Sequence, residues 1–298
     1  LKARGLRVPY DGTDTHIVLL DCKSVRGQDH AYLSGDMGAR ILDIAGIVAN
    51  RNTIPGDKSA FSATGVRFGS TWLTQRGFKE KEFIEIANII ADLMAHTTPY
   101  NIPGRGSPKR RAKVDFEALE AAKLKVKRLA AQTKDFTNIS KMHAYPHYYD
   151  IEDNLQAKQA SFRISGDQIR LFMSYAFSSD IEALKPGQSQ PTYLHTSSED
   201  IKAVISCKDT YTFTLTLLGE KAGLAGAWLR DLSDAYIKFD DDLLMRVPGP
   251  MRIALIPTEN VDKITDEPVG MQKPYYVGMT KDRRTGEEKP EFTWEAQE

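Results

Sequence analysis

Short strand-like runs alternate with amphipathic helical runs along the first hundred residues, and this alternation restricts the fold more than any other feature of the chain. The run 16–21 is apolar, follows turn-forming residues and ends in an acid, as expected of a strand. Ser34 is placed to cap a helix whose apolar positions recur at helical spacing. Strands are predicted at 47–50 and 65–71, followed by a surface helix over 79–94. We expect an α+β domain with a small antiparallel or mixed sheet covered by helices.

The second half of the chain predicts another α+β domain. Prolines, glycines and bases at 97–113 indicate a loop, and a helix over 115–133 follows it. Later strand-like runs, rich in apolar and β-branched residues, lie at 160–166, 201–207, 211–218 and 251–257. Helices are predicted at 166–177, with Ser165 as a possible cap, and at 221–233. We therefore predict domains over residues 1–142 and 150–280 and a polar tail over 281–298.

Composition excludes several classes of partner. Forty basic residues balance forty acidic ones, so the net charge of zero gives no overall attraction to nucleic acid or to an anionic membrane. No apolar run approaches the roughly 18 residues that span a bilayer. Cys22 and Cys207 are expected to be free thiols in a reducing compartment. The sequence predicts a cytoplasmic protein with neither nucleic-acid nor membrane partners.

One charged residue, Arg67, lies inside a run of small and β-branched residues that otherwise predicts a buried strand. A guanidinium group is planar and permanently charged, and it grips a carboxylate with two parallel hydrogen bonds. Burying it without such a partner is costly. The residues alone leave two interpretations: a receptor for the carboxylate of an amino acid, or an arginine on a half-exposed strand that pairs with a surface acid.

Three segments of the first half form one pattern: YDGTDTHIVLLD from Tyr10, ILDIAGIVANRNTIPGD from Ile41 and SATGVRFGSTWLTQRGFKEKEF from Ser62. In order and spacing they resemble the C-terminal domain of serine hydroxymethyltransferase. The resemblance covers about residues 1–95 densely and extends loosely to about residue 140. It implies the C-terminal domain of a fold-type I pyridoxal phosphate enzyme.

The resemblance also implies roles for two residues. Arg67 falls on the arginine that receives the carboxylate of serine or glycine, and Asn52 falls on the asparagine associated with the folate pterin ring. The implied reaction exchanges a hydroxymethyl group between serine and glycine, with pyridoxal phosphate as cofactor and tetrahydrofolate as co-substrate. Because family members generally pair two subunits at each active site, a homodimer is expected of the full-length form.

The chain departs from the family pattern in two places. Ser70, Thr71 and Trp72 stand where the family usually has threonine, proline and alanine. The threonine-rich strand ending in His-Lys, which carries the cofactor lysine, is absent from the whole sequence. We therefore expect this chain alone to be inactive and to contain no catalytic residue of its own. The opening without methionine suggests a fragment of a fusion polypeptide, with the cofactor domain upstream of Leu1.

Part of the second half resembles the folate-binding domain of glycine-cleavage aminomethyltransferases. The matching residues are Asp180, Ile181, Leu184, Gly187 and Gln188. The family's catalytic aspartate segment is missing, so the alternative is an unrelated accessory domain. For the whole chain, the alternatives are a non-catalytic interaction module of a glycine-pathway fusion protein and another fold-type I enzyme that uses the same arginine clamp.

Two smaller patterns bear on ligands. A basic cluster could hold a phosphate or the polyglutamate tail of a folate, or it could be a solvated loop; its members are Arg105, Lys109, Arg110, Arg111 and Lys113. His143 and His147 have the spacing of a helical metal pair, but Pro146 argues against an intact helix. No metal site is predicted.

Overall fold

The chain divides into two compact units. The computed structural model describes residues 1–103, 109–132, 157–262, 264, 272–275 and 293–296. The first unit comprises Leu1–Ser140 together with Tyr236–Leu244, and the second comprises Lys141–Ala235 with Met245–Glu298. Helices and antiparallel sheets occur in both units, so the α+β class predicted from the sequence is confirmed. No described helix is long and apolar enough to cross a membrane.

A three-stranded antiparallel sheet forms the centre of the first unit. Its strands are β1 (Ile17–Asp21), β2 (Asn50–Asn52) and β3 (Gly65–Gly69), and β3 lies between the other two. The described residues of this unit form four α-helices: α1 (Gly35–Ile44), α2 (Thr71–Gln75), α3 (Glu80–Ala95) and α4 (Phe116–Ala131). The predicted helices over 79–94 and 115–133 are thus confirmed as α3 and α4, which pack together.

Helix α1 packs closely on one face of the sheet. Its predicted cap is confirmed, because the Ser34 hydroxyl accepts a hydrogen bond from the Met37 N–H at 3.3 Å. Two glycines allow the close approach: a Cβ at Gly35 would clash with the Gly65 carbonyl oxygen, and a Cβ at Gly38 would lie 2.9 Å from the sulfur of Cys22. The glycines of α1 therefore set the distance between helix and sheet.

Two predicted strands shift at their ends. The strand expected over 47–50 is Asn50–Asn52 instead, because the Ile47 N–H still bonds to the Leu42 carbonyl and closes the end of α1. The strand expected over 65–71 ends at Gly69, since Ser70 occupies the N-cap position of a helix that begins at Thr71.

The predicted loop at 97–113 is wrong. A hairpin of β4 (Thr97–Ile102) and β5 (Lys109–Val114) occupies most of it. Prolines are tolerated here because a two-stranded sheet consists of edge strands, where a missing N–H breaks few ladder bonds. Lys113, expected among solvated bases, is fully buried, with its ammonium 4.7 Å from the ring centroid of Phe239.

The second unit is built on a five-stranded antiparallel sheet. Its strands are β6 (Gln159–Ser165), β7 (Ser189–His195), β8 (Asp200–Asp209), β9 (Thr212–Leu218) and β10 (Arg252–Ile256), in the order β10-β6-β9-β8-β7. Helices α5 (Ile169–Ala176) and α6 (Ala222–Asp234) confirm the helical predictions, although the expected Ser165 cap is wrong because Gln168 precedes α5. Strand β7 was missed because it carries Pro191, which an edge strand tolerates.

A two-stranded sheet is formed by residues late in the sequence. Strands β11 (Gln272–Tyr275) and β12 (Thr293–Ala296) pair antiparallel, and β12 falls in the predicted polar tail. The predicted boundary between residues 142 and 150 lies outside the described residues. Cys22 and Cys207 are both free, as expected, and both are buried.

Candidate functional site

Arg67 occupies the middle of the central strand β3. It pairs with Leu19 on β1 and with Asn50 on β2. Residues paired across antiparallel strands share a face, so all three side chains project from the side of the sheet opposite α1. Val66 and Leu20, one residue away on their strands, are fully buried on the α1 side.

The part of the sheet face around Arg67 is left exposed by the described residues. Arg67 is exposed, which corrects the expectation that the whole strand is buried. No residue within the described part of the chain pairs with its guanidinium as a hydrogen-bond or ion-pair partner. An unpaired arginine on an open sheet face is available to an anionic ligand, and the surface-acid alternative receives no support among these residues.

Asn52 lies on the same face as Arg67. It is two residues from Asn50 on β2, so their side chains project to the same side. As a diagonal neighbour, it is about 7 to 8 Å from Arg67 across the strand pair. The Asn52 amide nitrogen donates to the Thr53 carbonyl at 2.6 Å, which leaves the amide oxygen to accept from a ligand. The two site residues named from the sequence therefore come together.

Gly65 makes the close pairing of β2 and β3 possible. It is the partner of Asn52, and a Cβ there would clash with the Ile54 side chain and lie 2.8 Å from the Asn52 carbonyl oxygen. Any larger residue would push Asn52 away from the strand that carries Arg67. The relative position of the two site residues thus depends on this glycine.

Asp57 ties together both ends of the loop that joins β2 to β3. One carboxylate oxygen accepts from the Ile54 N–H at 3.0 Å and the Thr64 N–H at 2.9 Å, and the other accepts from the Thr64 hydroxyl at 2.6 Å. Burial opposes ionisation, but these hydrogen bonds and the Lys23 ammonium 3.9 Å away together lower the pKa of Asp57. The ionised carboxylate holds the loop, and with it the spacing of Asn52 and Arg67.

The edge of the same face carries an ion pair. Arg7 forms a backbone bridge with Asp21 and its guanidinium also contacts the buried Asp21 carboxylate. Asp21 in turn accepts from the Lys23 N–H at 2.9 Å. Burial, with a smaller contribution from the Asp21 charge, raises the pKa of the Cys22 thiol to about 12, so Cys22 is protonated at neutral pH and is not a nucleophile.

Comparison with known proteins bears directly on this site. Residues 1–90 match the family model described as serine hydroxymethyltransferase. A probable cytosolic serine hydroxymethyltransferase of Schizosaccharomyces pombe is 46% identical over 89 residues, which are 30% of this chain and 18% of that protein. The serine hydroxymethyltransferase of Microcystis aeruginosa is 46% identical over 95 residues, 32% of this chain and 21% of that protein. The chain thus spans about a fifth of the length of these relatives.

A solved structure is similar at a much lower level. The glycine cleavage system aminomethyltransferase T from Bartonella henselae matches with a TM-score of 0.26 and 20% sequence identity, over 33% of this chain and 24% of that chain. A TM-score this low carries no argument about fold or function.

The residues that depart from the serine hydroxymethyltransferase pattern directly follow Arg67's strand. Ser70 precedes α2 and its N–H donates to the His16 carbonyl at 3.0 Å, which joins the start of α2 to the start of β1. Trp72, in the first turn of α2, is 78% exposed. The departure thus places a large exposed aromatic ring directly after the strand that carries Arg67.

The residues that resemble aminomethyltransferases form a turn that is held by hydrogen bonds from Arg170. The Arg170 guanidinium donates to the Ile181 carbonyl at 2.7 Å and to the Leu184 carbonyl at 3.1 Å. Gly187 follows with φ +83°, a conformation that favours glycine. These contacts are local and build the turn itself, so they explain the residues without a ligand.

Of the other sequence candidates, His143, His147 and Arg105 lie outside the described residues. Within the described ranges, no three His, Cys, Asp or Glu side chains cluster as metal ligands would.

The sequence prediction overlooked two residues of the site. Asn50 could have been found from its two-residue spacing to Asn52, because strand side chains alternate between faces. Asp57 could not, since the sequence shows it only as a turn former.

Proposed function

We propose that residues 1–90 provide the substrate-carboxylate and folate contacts of a serine hydroxymethyltransferase, whose remaining portion completes the active site. The observation that carries this proposal is that Arg67, unpaired among the described residues, shares an open sheet face with Asn52 in a segment that matches the family. The family reaction converts serine and tetrahydrofolate into glycine and 5,10-methylenetetrahydrofolate, and it depends on pyridoxal phosphate.

The polar side chains of this face have different roles in the proposed site. The Arg67 guanidinium binds the carboxylate of serine or glycine through two charge-assisted hydrogen bonds. The Asn52 amide oxygen accepts a hydrogen bond from the pterin ring of the folate. Asp57 acts on both only by holding the loop between their strands.

The residues of this chain do not fit pyridoxal phosphate. The cofactor supplies the electron sink for the reaction when it is bound. The sequence has no threonine-rich strand ending in His-Lys to hold it. We therefore assign cofactor binding to a part of the enzyme that this chain does not span, and we expect the chain alone to be inactive. A cytoplasmic homodimer of the complete enzyme belongs to the same proposal.

A chimera tests the proposal directly. Residues 1–90 of this chain replace the matching segment of the Schizosaccharomyces pombe enzyme, and the rate of serine cleavage with tetrahydrofolate is measured. We expect activity above that of the same enzyme with the segment deleted. A chimera that folds and retains pyridoxal phosphate but cleaves no serine would contradict the proposal and favour a non-catalytic interaction module.

A further inference from the structure

A short hairpin of residues 25–33 stands apart from the proposed site within the first unit. Two backbone hydrogen bonds close it, from the Leu33 N–H to the Val25 carbonyl at 3.1 Å and from the Gly27 N–H to the Ala31 carbonyl at 3.0 Å. We call it the 25–33 hairpin. It has its own internal geometry and is not part of the three-stranded sheet.

The 25–33 hairpin is fixed on strand β4. A Cβ at Gly27 would clash with the Pro99 carbonyl oxygen, so the two backbones touch where this glycine lies. The Asn101 amide nitrogen also donates to the Asp29 carbonyl at 3.4 Å. Asn101 pairs with Arg110 across the β4–β5 ladder, which places Arg110 on the face that the hairpin covers.

Two arginines converge on one tyrosine at this contact. Arg26 lies opposite Tyr32 on the 25–33 hairpin, with its Cζ 5.9 Å from the Tyr32 ring centroid. The Cζ of Arg110, from β5, lies 4.0 Å from the same centroid. Both distances are within the range of cation–π attraction. We call Arg26, Tyr32 and Arg110 the arginine–tyrosine patch.

The arginine–tyrosine patch has an uncompensated positive charge. Neither arginine makes an ion pair with a carboxylate in the part of the chain that the structure describes. Two like charges near one ring repel each other, and the ring quadrupole offsets only part of this repulsion. Because the chain as a whole is neutral, the excess is local. A ligand with several carboxylates could offset both charges, because each guanidinium could bind a carboxylate of its own.

We propose that the arginine–tyrosine patch binds the carboxylates of an acidic peptide segment on a partner protein. Nucleic acid fits less well, because Arg110 is stacked against the ring that would otherwise be available to a base. A membrane also fits less well: among the described residues of the 25–33 hairpin, β4 and β5, no large apolar side chain is exposed to enter lipid. This inference does not depend on the proposed function.

Binding of a fluorescein-labelled oligo-glutamate peptide to the complete chain, followed by fluorescence anisotropy at low ionic strength, tests this proposal. We expect the double variant Arg26→Gln/Arg110→Gln to weaken binding roughly tenfold. The matched control is Arg163→Gln/Arg246→Gln, which removes two exposed arginines elsewhere and should leave binding nearly unchanged. Arg110→Lys should lose part of the affinity, because it keeps the charge without the planar fork. Thermal unfolding checks that each variant is folded.

Three results would overturn the proposal. The first is no binding of oligo-glutamate by the unaltered chain, and the second is equal loss of affinity in the control pair, which would indicate bulk charge alone. The third is stronger binding of an oligonucleotide or an anionic vesicle than of the peptide. An oligo-glutamine peptide of the same length should not bind.

Discussion

The position of Arg67 is set by the backbone pairing of its strand with the two neighbouring strands. It has no ionic partner within the described ranges, and its position is fixed by the ladder to Leu19 and Asn50 rather than by contacts of its own. A residue held in this way can bind and release a ligand without disturbing the core. Its contribution should therefore be visible in substrate binding and catalysis rather than in stability.

The first prediction concerns Arg67 in the chimeric enzyme. Arg67→Ala should lower kcat/KM for serine roughly a hundredfold or more, because the substrate carboxylate loses its partner in a site closed by the rest of the enzyme. Arg67→Lys should recover only part of this loss. Arg51→Ala is the control, since Arg51 is also exposed but projects from the opposite face. Steady-state kinetics and thermal unfolding are measured together. Unchanged kcat/KM for serine in Arg67→Ala would refute the assignment.

The second prediction concerns Asp57, whose lowered pKa links stability to pH. Its folded pKa lies below its unfolded value, so its contribution is present above the unfolded pKa and is lost as pH falls through the folded pKa. Asp57→Ala should lower the free energy of unfolding by about 2 kcal/mol near pH 7, and by less in acid. Urea unfolding at several pH values measures this. Asp14→Asn, at an exposed aspartate, should change little; the same loss for Asp57→Ala at every pH would contradict the assignment.

At the scale of elements, periodicity predicted every described α-helix except the five-residue α2, which the sequence analysis missed. The stripe of apolar residues identified α3 and α4, and Ser34 marked the start of α1, because these signals act within one or two turns. The β4–β5 hairpin and β7 were missed because Pro99 and Pro191 suggest breaks. Only the position of a strand at the edge of a sheet shows that a proline there is harmless.

The face of the candidate site was predictable only in part. Arg67 and Asn52 follow from the family resemblance, and their shared face follows from strand alternation once the register is known. The register itself depends on Gly65 approaching the Asn52 carbonyl, which is a long-range contact that no local pattern encodes. The sequence left open whether Arg67 is buried or exposed, because exposure depends on what covers the sheet.

The third prediction concerns the packing of α1 on the sheet. Gly35→Ala should lower the free energy of unfolding by about 1 to 3 kcal/mol, because the new methyl group meets the Gly65 backbone, which cannot move aside as a side chain would. Gly69→Ala is the matched control, since nothing lies within 4 Å of a Cβ at that position. Urea unfolding compares the two variants with the parent chain. Equal stability of the two would show that the helix can shift without cost.

At the scale of the whole molecule, the first unit is built from two separate segments of the chain. The segment Tyr236–Leu244 returns to it after most of the second unit has been built. The Val114 N–H donates to the Tyr236 carbonyl at 2.8 Å, and the Lys238 N–H donates back to Val114 at 3.0 Å. The ring of Phe239 packs beside the buried Lys113 ammonium. The first unit therefore depends on residues far along the sequence.

The fourth prediction follows from this return. A fragment of residues 1–142 should be less stable than the first unit within the complete chain, because it lacks the strand-like bonds to β5 and the ring over Lys113. Urea unfolding of the fragment, with and without an added peptide of residues 236–244, measures the difference. Equal midpoints for the fragment and the complete chain would show that the returning segment contributes nothing.

The fifth prediction concerns the cofactor. Incubation of the complete chain with pyridoxal phosphate should leave no absorbance band after gel filtration, because the sequence lacks the family's lysine motif. The Schizosaccharomyces pombe enzyme treated in the same way serves as the positive control. A band that persists and is fixed by borohydride would show that another lysine performs this role.

The two buried thiols can be used to measure local unfolding of each unit by chemical labelling. Cys22 lies in the first unit and Cys207 in the second, and each is almost fully shielded from solvent. A maleimide in solution can reach either sulfur only when the surrounding structure opens, so the labelling rate follows that opening. Because the chain has no other cysteine, mass spectrometry of the digested protein would measure the labelling rates of Cys22 and Cys207 separately in one sample. These rates report the opening of the first and the second unit.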